Sequence, residues 1–466
     1  MKWVALIVAL GGMLPLALWL RENREGAYRF FTLVGSLPFV MSVFPLFDMS
    51  LFNWRGWRGL TNGFEVTVID FVALAIFLSL PPAREPLPFR FVFGFYFLAV
   101  LVATSLAEVP LTASFYAWQF LRMYLVYAVV ARICAADDGV TVALLKGMSI
   151  GLALQSVVVI YQRFGLGIVQ AMGTFYHQNT LGMVSHFVVL PHFALLLAGW
   201  RRWQAAVSPM VGVVVAILTV SRATVAFSAF GLCFVYGLST LRRWTPGKAA
   251  VGVIGLVGLV SMLPLVKSSF ERRFITAPLS VEDQERQAFE RAAAMIMADH
   301  PMGVGPNHYV FTANKGYSDR AGVISLEVNR NQIVHNAYWV AAVETGYLGL
   351  CAFVLLLFRP LWVAFSCGWR QRDDRRADLL LGLGAALLTV YLHSFFEWIL
   401  FSAQVQYMLV FSMGMIAGSA QRLGYFRPVG AGLPPGRAGM PSPWATARRV
   451  QFMETGGPPT TSKETR

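Results

Sequence analysis

The sequence predicts an all-α polytopic membrane protein of about 12–13 transmembrane helices with one large, partly helical loop on the outer side, and three observations carry that expectation. First, 56% of the 466 residues are hydrophobic and only 13% are charged, whereas a soluble chain is about 25% charged. Second, apolar stretches recur along most of the length, each close to the roughly 20 residues a helix needs to cross a bilayer. Third, basic residues collect in alternate connections. Four Cys exclude a disulfide scaffold. A net charge of +14 would suggest nucleic acid in a soluble protein. Here it records topology, and no nucleic-acid partner is expected.

Thirteen spans are expected, within residues 3–20, 30–47, 64–80, 91–107, 113–135, 140–162, 181–199, 205–220, 223–240, 249–266, 336–358, 379–396 and 400–418. Short connections between most of them suit a bundle of neighbouring antiparallel helices. Residues 267–334 interrupt the series with a polar stretch of 68 residues. Residues 421–466 form a tail rich in Pro, Gly, Ser and Thr, which reads as disordered.

With the long segment outside, the inner connections carry fifteen basic residues: Arg21, Arg24, Arg29, Arg84, Arg90, Arg201, Arg202, Arg242, Arg243, Lys248, Arg359, Arg370, Arg372, Arg375 and Arg376. The short outer segments carry five, namely Lys2, Arg55, Arg58, Arg163 and Arg222. This bias puts the amino terminus outside and the tail in the cytoplasm. More positive charge follows the first span than precedes it, and no small-x-small cleavage site follows, so no removable signal peptide is expected.

No soluble-enzyme fingerprint is present: there is no P-loop, no G-x-G-x-x-G after a strand, no H-E-x-x-H and no C-x-x-C. Cys134, Cys233, Cys351 and Cys367 lie apart and read as small hydrophobes. The informative polar residues gather on the outer side. Arg222, in SRATVAF between spans eight and nine, is either a side chain snorkelling to the interface or a fixed cation where a lipid-linked phosphate would lie. In the long loop, VEDQERQAFERAAAMIMADHPMGVGP reads as a helix ended by a Pro-Gly turn. Phe289, Ala292, Ala293, Ile296 and Met297 share one face of it. At about 100° per residue, Arg286 falls about 60° from Phe289 and Arg291 about 200° away. Arg286 is therefore expected in the groove beneath the helix and Arg291 in water, unless Arg286 pairs with Glu282 or Glu285.

His335 opens HNAYWVAAVETGYLGL at the outer end of span eleven. It is either a structural hydrogen-bonder or a general base, a role that an ordinary imidazole pKa of about 6.5 suits at neutral pH. Two cations for a phosphate leaving group and one imidazole for an incoming hydroxyl are the parts that glycosyl transfer from a lipid diphosphate needs. The only carboxylate run on the outer side, Glu282 to Glu285, is better explained by helix solvation, and neither metal nor cofactor is expected. Substrate-binding candidates of second rank are Arg291, His177, Asn179, Asn307, His308 and Asn336. Among them His177 and Asn179, in GTFYHQNTLG, either bind sugar or cap span seven, and Asn307 also shapes the turn after the loop helix with His300, Gly303 and Gly305. Glu344 inside span eleven is expected to face the bundle, tied to a partner such as Arg122. His393 and Glu397, four apart, are expected to pair with each other.

GTFYHQNTLG, SRATVAF, ERQAFERAAAMIMADHPMGVGPNHYV and HNAYWVAAVETGYLGL, set in a many-span frame around one long loop, together resemble the bacterial O-antigen ligase and polymerase family. The likeness is strongest over residues 155–358, and FNWRGWRGLTNGFEVTVIDFVAL looks like the amino-terminal part of some members. It implies an inverting, metal-independent transfer of a glycan from undecaprenyl diphosphate to a hydroxyl of the lipid A core, on the periplasmic side of the inner membrane. By motif, Arg222 is similar to the family's membrane-edge arginine, Arg286 to its loop arginine and His335 to its proposed base. The family's loop arginine is usually followed by Trp, where Phe289 and Glu290 stand here, so the choice between Arg286 and Arg291 stays open.

The implied organisation is an amino-terminal helical part (1–150), a ligase/polymerase-type core (151–420) and a basic cytoplasmic tail (421–466). The rival within the family is a polymerase of lipid-linked repeat units. A protein-glycosylating enzyme is less favoured, because no large carboxy-terminal domain follows. A glycolipid transporter would show charges along a midplane pathway and internal repeats, and neither is visible. A non-catalytic membrane scaffold is the last alternative.

Overall fold

A computed structural model describes residues 2–43, 48–83, 85–276, 279–324, 330–371 and 374–427. Of the tail expected to be disordered, residues 428–466 lie outside the described residues. Helices occupy all thirteen expected positions: α1 (Lys2–Glu22), α2 (Arg24–Val40), α3 (Val68–Ser79), α4 (Arg90–Leu106), α5 (Pro110–Ala136), α6 (Asp138–Ile160), α7 (Gln178–Leu197), α8 (Trp203–Leu218), α9 (Arg222–Arg242), α10 (Pro246–Thr276), α12 (Ala337–Arg370), α13 (Arg375–His393) and α14 (Ala403–Arg422). The loop helix is α11 (Leu279–Asp299). Among the described residues, seven helices are long and apolar enough to cross a membrane, and four further apolar helices are shorter. The chain is an all-α polytopic membrane protein.

Two helices outrun their apolar stretches. α10 continues to Thr276, because helix-compatible residues such as Glu271 and Arg272 follow its apolar run without a breaker, and α12 continues through Pro360 to Arg370. The start of span three also differs from expectation. Residues 63–67 are not helical but form β2 (Gly63–Thr67), antiparallel to β1 (Asp48–Asn53) with Met49 opposite Val66. Thr67 then caps α3, donating its backbone N–H to Asp70 Oδ2 at 2.7 Å.

The bundle is built around α7, α13 and α5. α7 packs against α8, α9 and α13, and α5 packs against α4 and α14. In α7, 89% of the apolar window is buried inside the protein, against 11% in α1, whose side chains face outward. Alternating helix directions bring the hairpin, the α4–α5 corner and the starts of α7, α9 and α12 to one end, the loop end. The opposite end is closed by ion pairs such as Arg242 with Asp378 at 2.7 Å and Arg376 with Asp374 at 2.5 Å.

The long segment is locked into α12. That helix breaks at Gly346, whose φ of +70° is reached at little cost only without a Cβ. Gly303, at φ +87°, lies against the break so closely that a Cβ on either glycine would strike the other segment's backbone. The carbonyls freed by the break are taken up by the loop: Val304 N–H donates to Val343 O (2.9 Å) and Gly305 N–H to Glu344 O (3.0 Å). Tyr347 N–H donates in return to Pro301 O (3.2 Å). Broken backbone is tolerated at membrane depth only where protein re-satisfies it in this way.

Candidate active site

Three helix starts converge at the loop end, and the local sequence makes each one. His177 accepts from Asn179 N–H through Nδ1 at 3.2 Å and caps α7. Ser221 Oγ accepts from Thr224 N–H at 3.2 Å and caps α9, leaving Arg222 as its first residue. Asn336 Oδ1 accepts from Tyr338 N–H (3.0 Å) and Trp339 N–H (3.3 Å), so α12 begins at Ala337, two residues after His335. Short polar side chains at such positions satisfy amides that the helix itself leaves open. Over these starts lies α11, packed on α12, with Phe289, Ala292, Ala293, Ile296 and Met297 all buried as the stripe predicted.

The centre of the site is Glu397, in the turn between α13 and α14 and 2% exposed. Its Oε1 accepts from Asn179 Nδ2 and lies 3.4 Å from Arg286 Nη2, while Oε2 stands 3.5 Å from His335 Nδ1. Arg286 also donates through Nη1 to Phe396 O at 2.8 Å. One carboxylate thus gathers an amide, a guanidinium and an imidazole from α7, α11 and the start of α12. Burial pushes the Glu397 carboxyl up. The His335 ring and the Arg286 charge outweigh that and hold it below its ordinary value. His335 presents its other nitrogen, Nε2, to Gln332 Oε1 at 3.2 Å, and its ring edge meets Phe289 at 6.1 Å. Sequence reasoning named His335, Arg286 and Asn179 separately but missed that Glu397 joins them.

Arg222 belongs to the same neighbourhood. Thr224 packs so tightly on Gly182 of α7 that no side chain would fit at 182. Phe227, further along the same helix, stacks on His393 at 5.2 Å and meets Phe396 at 5.8 Å. The partly exposed start of α9 therefore flanks both the start of α7 and the turn that holds Glu397.

Other candidates lie elsewhere. Arg291 donates to Ala321 O from Nε (3.3 Å) and Nη2 (3.1 Å), on the far side of α11 from Glu397. The geometry thus gives Arg286, and not Arg291, to the cluster. Asn307 is fully buried at φ +65°. Its Nδ2 donates to Thr61 O (2.7 Å) and Thr112 O (2.9 Å), and its Oδ1 accepts from Thr61 N–H (3.0 Å). His308 is equally buried, with Nδ1 at Pro306 O (2.8 Å) and Nε2 at Val109 N–H (3.3 Å), and burial lowers its pKa. Both are staples of the fold, contrary to the expectation that they touch a glycan, because every polar side-chain atom is used inside the chain. Two partner expectations are corrected as well. Glu344 accepts from the N–H groups of Asn307 (2.7 Å) and Tyr309 (3.1 Å), while Arg122 pairs with Asp70 at 2.7 Å. Glu397 turns to His335 and Arg286, and His393 packs between Phe227 and His186.

Among the described residues, no group of three or more His, Cys, Asp or Glu is placed to hold a metal ion. What the arrangement offers is two guanidiniums for an anion and one oriented imidazole for a proton, at a helix-start end where amides also favour negative charge. No curated protein matches the chain. Residues 205–354 match the family model described as O-Antigen ligase, a segment that contains Arg222, Arg286 and His335 but neither Asn179 nor Glu397. Over that segment, the chain is similar to the O-antigen ligase family.

Proposed function

We propose that this membrane glycosyltransferase moves a glycan from an undecaprenyl-diphosphate carrier to a hydroxyl acceptor, inverting the anomeric carbon without a metal, and that the acceptor is the lipid A core. The observation that carries the reading is the junction at Glu397, where Arg286 and His335 share one buried carboxylate beside the start of α9. In this reading Arg286 and Arg222 neutralise the diphosphate as the anomeric C–O bond breaks. His335 takes the acceptor proton through Nε2, displacing its contact with Gln332. Glu397 holds Nδ1–H, fixing the tautomer and supporting the imidazolium that forms, the task a carboxylate performs behind a catalytic histidine. Asn179 orients the Glu397 carboxylate and is not a sugar ligand in this account. The charge bias between the two ends supports a periplasmic active face on the inner membrane, with the tail in the cytoplasm.

Purified protein supplied with a lipid-diphosphate glycan and either lipid A core or a second donor glycan separates ligation from polymerisation. Transfer to lipid A core is expected, lost about 10²–10⁴-fold in His335→Ala and strongly reduced in Arg222→Ala. Wild-type rates in both variants would overturn the assignment, and extension of the second donor glycan alone would make the protein a polymerase.

A further inference from the structure

We propose that the tip of the β1–β2 hairpin, residues 54–62, is a subsite for a phosphate-bearing part of the acceptor saccharide. Arg55 and Arg58 would supply the cations and Trp54 a stacking face. The inference rests on the reading that the acceptor is a glycan.

The tip repeats one unit, WRGWRG, and no acidic residue lies between Asp48 and Glu65. Both arginines are exposed, and neither makes a hydrogen bond, ion pair or ring contact among the described residues. Other cations at this end are occupied: Arg286 by Glu397, Arg291 by Ala321 O, Lys315 by Glu108, and Arg330 by Asp319. Two guanidiniums three residues apart therefore stand without counter-charge, the arrangement that pairs with phosphate oxygens. Between them Trp57 turns inward, while Trp54 remains 39% exposed at 6.3 Å from it, free to cover the apolar face of a sugar ring.

The tip is also held still. Trp54 N–H donates to Asn62 O (2.8 Å), Trp57 Nε1 to Asn307 O (3.1 Å), and Thr61 exchanges backbone bonds with the Asn307 amide. Gly59 lies so close to Asn307 that a Cβ would collide with its side chain. A fixed backbone lowers the entropy lost when the charged side chains engage a ligand. The same contacts tie the tip to the transfer site. Trp57 stacks on Phe311 at 5.2 Å, the neighbouring Tyr309 hydroxyl donates to Phe289 O (3.1 Å), and Phe289 borders His335. Anionic lipid headgroups carry phosphate too, but a headgroup contact needs no fixed relation to His335, and this wall supplies one.

The test uses full-length protein in neutral phosphatidylcholine nanodiscs, with lipid A core carrying its phosphates and the same acceptor after phosphatase treatment. For Arg55→Ala/Arg58→Ala we expect KM for the phosphorylated acceptor to rise about tenfold or more, with kcat within twofold and no change for the dephosphorylated acceptor. Arg55→Lys/Arg58→Lys should recover part of the loss. An unchanged KM, or an equal loss with both acceptors, would overturn the subsite. An effect seen only in phosphatidylglycerol nanodiscs would assign the tip to the membrane surface instead. Binding of the phosphorylated core oligosaccharide without donor is measured in parallel. Wild type that binds it through the tip yet transfers nothing would sink the proposed reaction and leave the subsite standing.

Discussion

Asp70 and Glu397 are two buried carboxylates that face arginines in one bundle, and their surroundings differ in kind. Asp70 is sealed: Arg122 Nε lies at 2.7 Å, the Tyr407 hydroxyl donates at 2.9 Å, and the Arg122 and Asp70 side chains are 5% and 9% exposed. Glu397 is just as buried, but its partners stand off at 3.4 and 3.5 Å and are 33% and 25% exposed for Arg286 and His335. A short, enclosed network leaves no lone pair or proton for anything else, so it holds helices together and does no more. A loose cluster with half-open cations can release them to an anion while the carboxylate keeps them in place. Geometry, rather than residue type, separates the structural pair from the candidate catalytic one.

The contrast breaks most sharply at Arg122. Arg122→Met leaves Asp70 charged and unpaired and is expected to lower stability by about 3–5 kcal/mol, read as thermal unfolding in detergent. The molecules that remain folded should still transfer glycan. Arg286→Ala should do the reverse, lowering kcat about 10²–10³-fold with little loss of melting temperature, because the guanidinium is partly hydrated. Glu397→Gln keeps the shape but not the charge. A slowing of about 10–100-fold is expected, in line with the loss of a group that orients a functional histidine, and an unchanged rate would leave Glu397 without a role.

Smaller effects sharpen the same distinction. Asn307→Ala removes the side-chain bonds to Thr61 and Thr112 and should cost about 1–3 kcal/mol, with the KM for donor unchanged. The pH dependence follows from Glu397, whose folded pKa lies below the ordinary carboxylate value. Its contribution to stability is complete above that ordinary value and disappears as pH falls through the lower, folded one. The difference in melting temperature between wild type and Glu397→Gln should therefore shrink only in acid, below about pH 4.

The helical frame was readable because apolar length is a local property, and the α11 stripe because helical periodicity is local too. The same periodicity put Arg286 on the inner side and Arg291 on the outer, as the contacts with Glu397 and Ala321 bear out. Partnerships were less legible. Glu397 was assigned to His393 by its spacing of four, yet the chain turns after α13 and carries the carboxylate away from that helix face. Arg122 pairs with Asp70 and not with Glu344, a partnership hidden in the sequence because Asp70 lies inside an apolar run. Asn307 looked polar and available. Only the hairpin, itself unforeseen, shows that its amide is spent on Thr61.

The plug of Gly303 into the break at Gly346 has a consequence for biosynthesis. Residues 301–309 leave the ribosome before α12 does, so the segment waits without its receptor until that helix has entered the membrane. His335 arrives with the same helix, and Glu397 only after α13. A nascent chain stopped between α11 and α12 holds Arg222 and Arg286 but neither His335 nor Glu397, and one stopped between α12 and that turn still lacks Glu397. Completion of the candidate site is therefore a late event in translation, set by the order of synthesis.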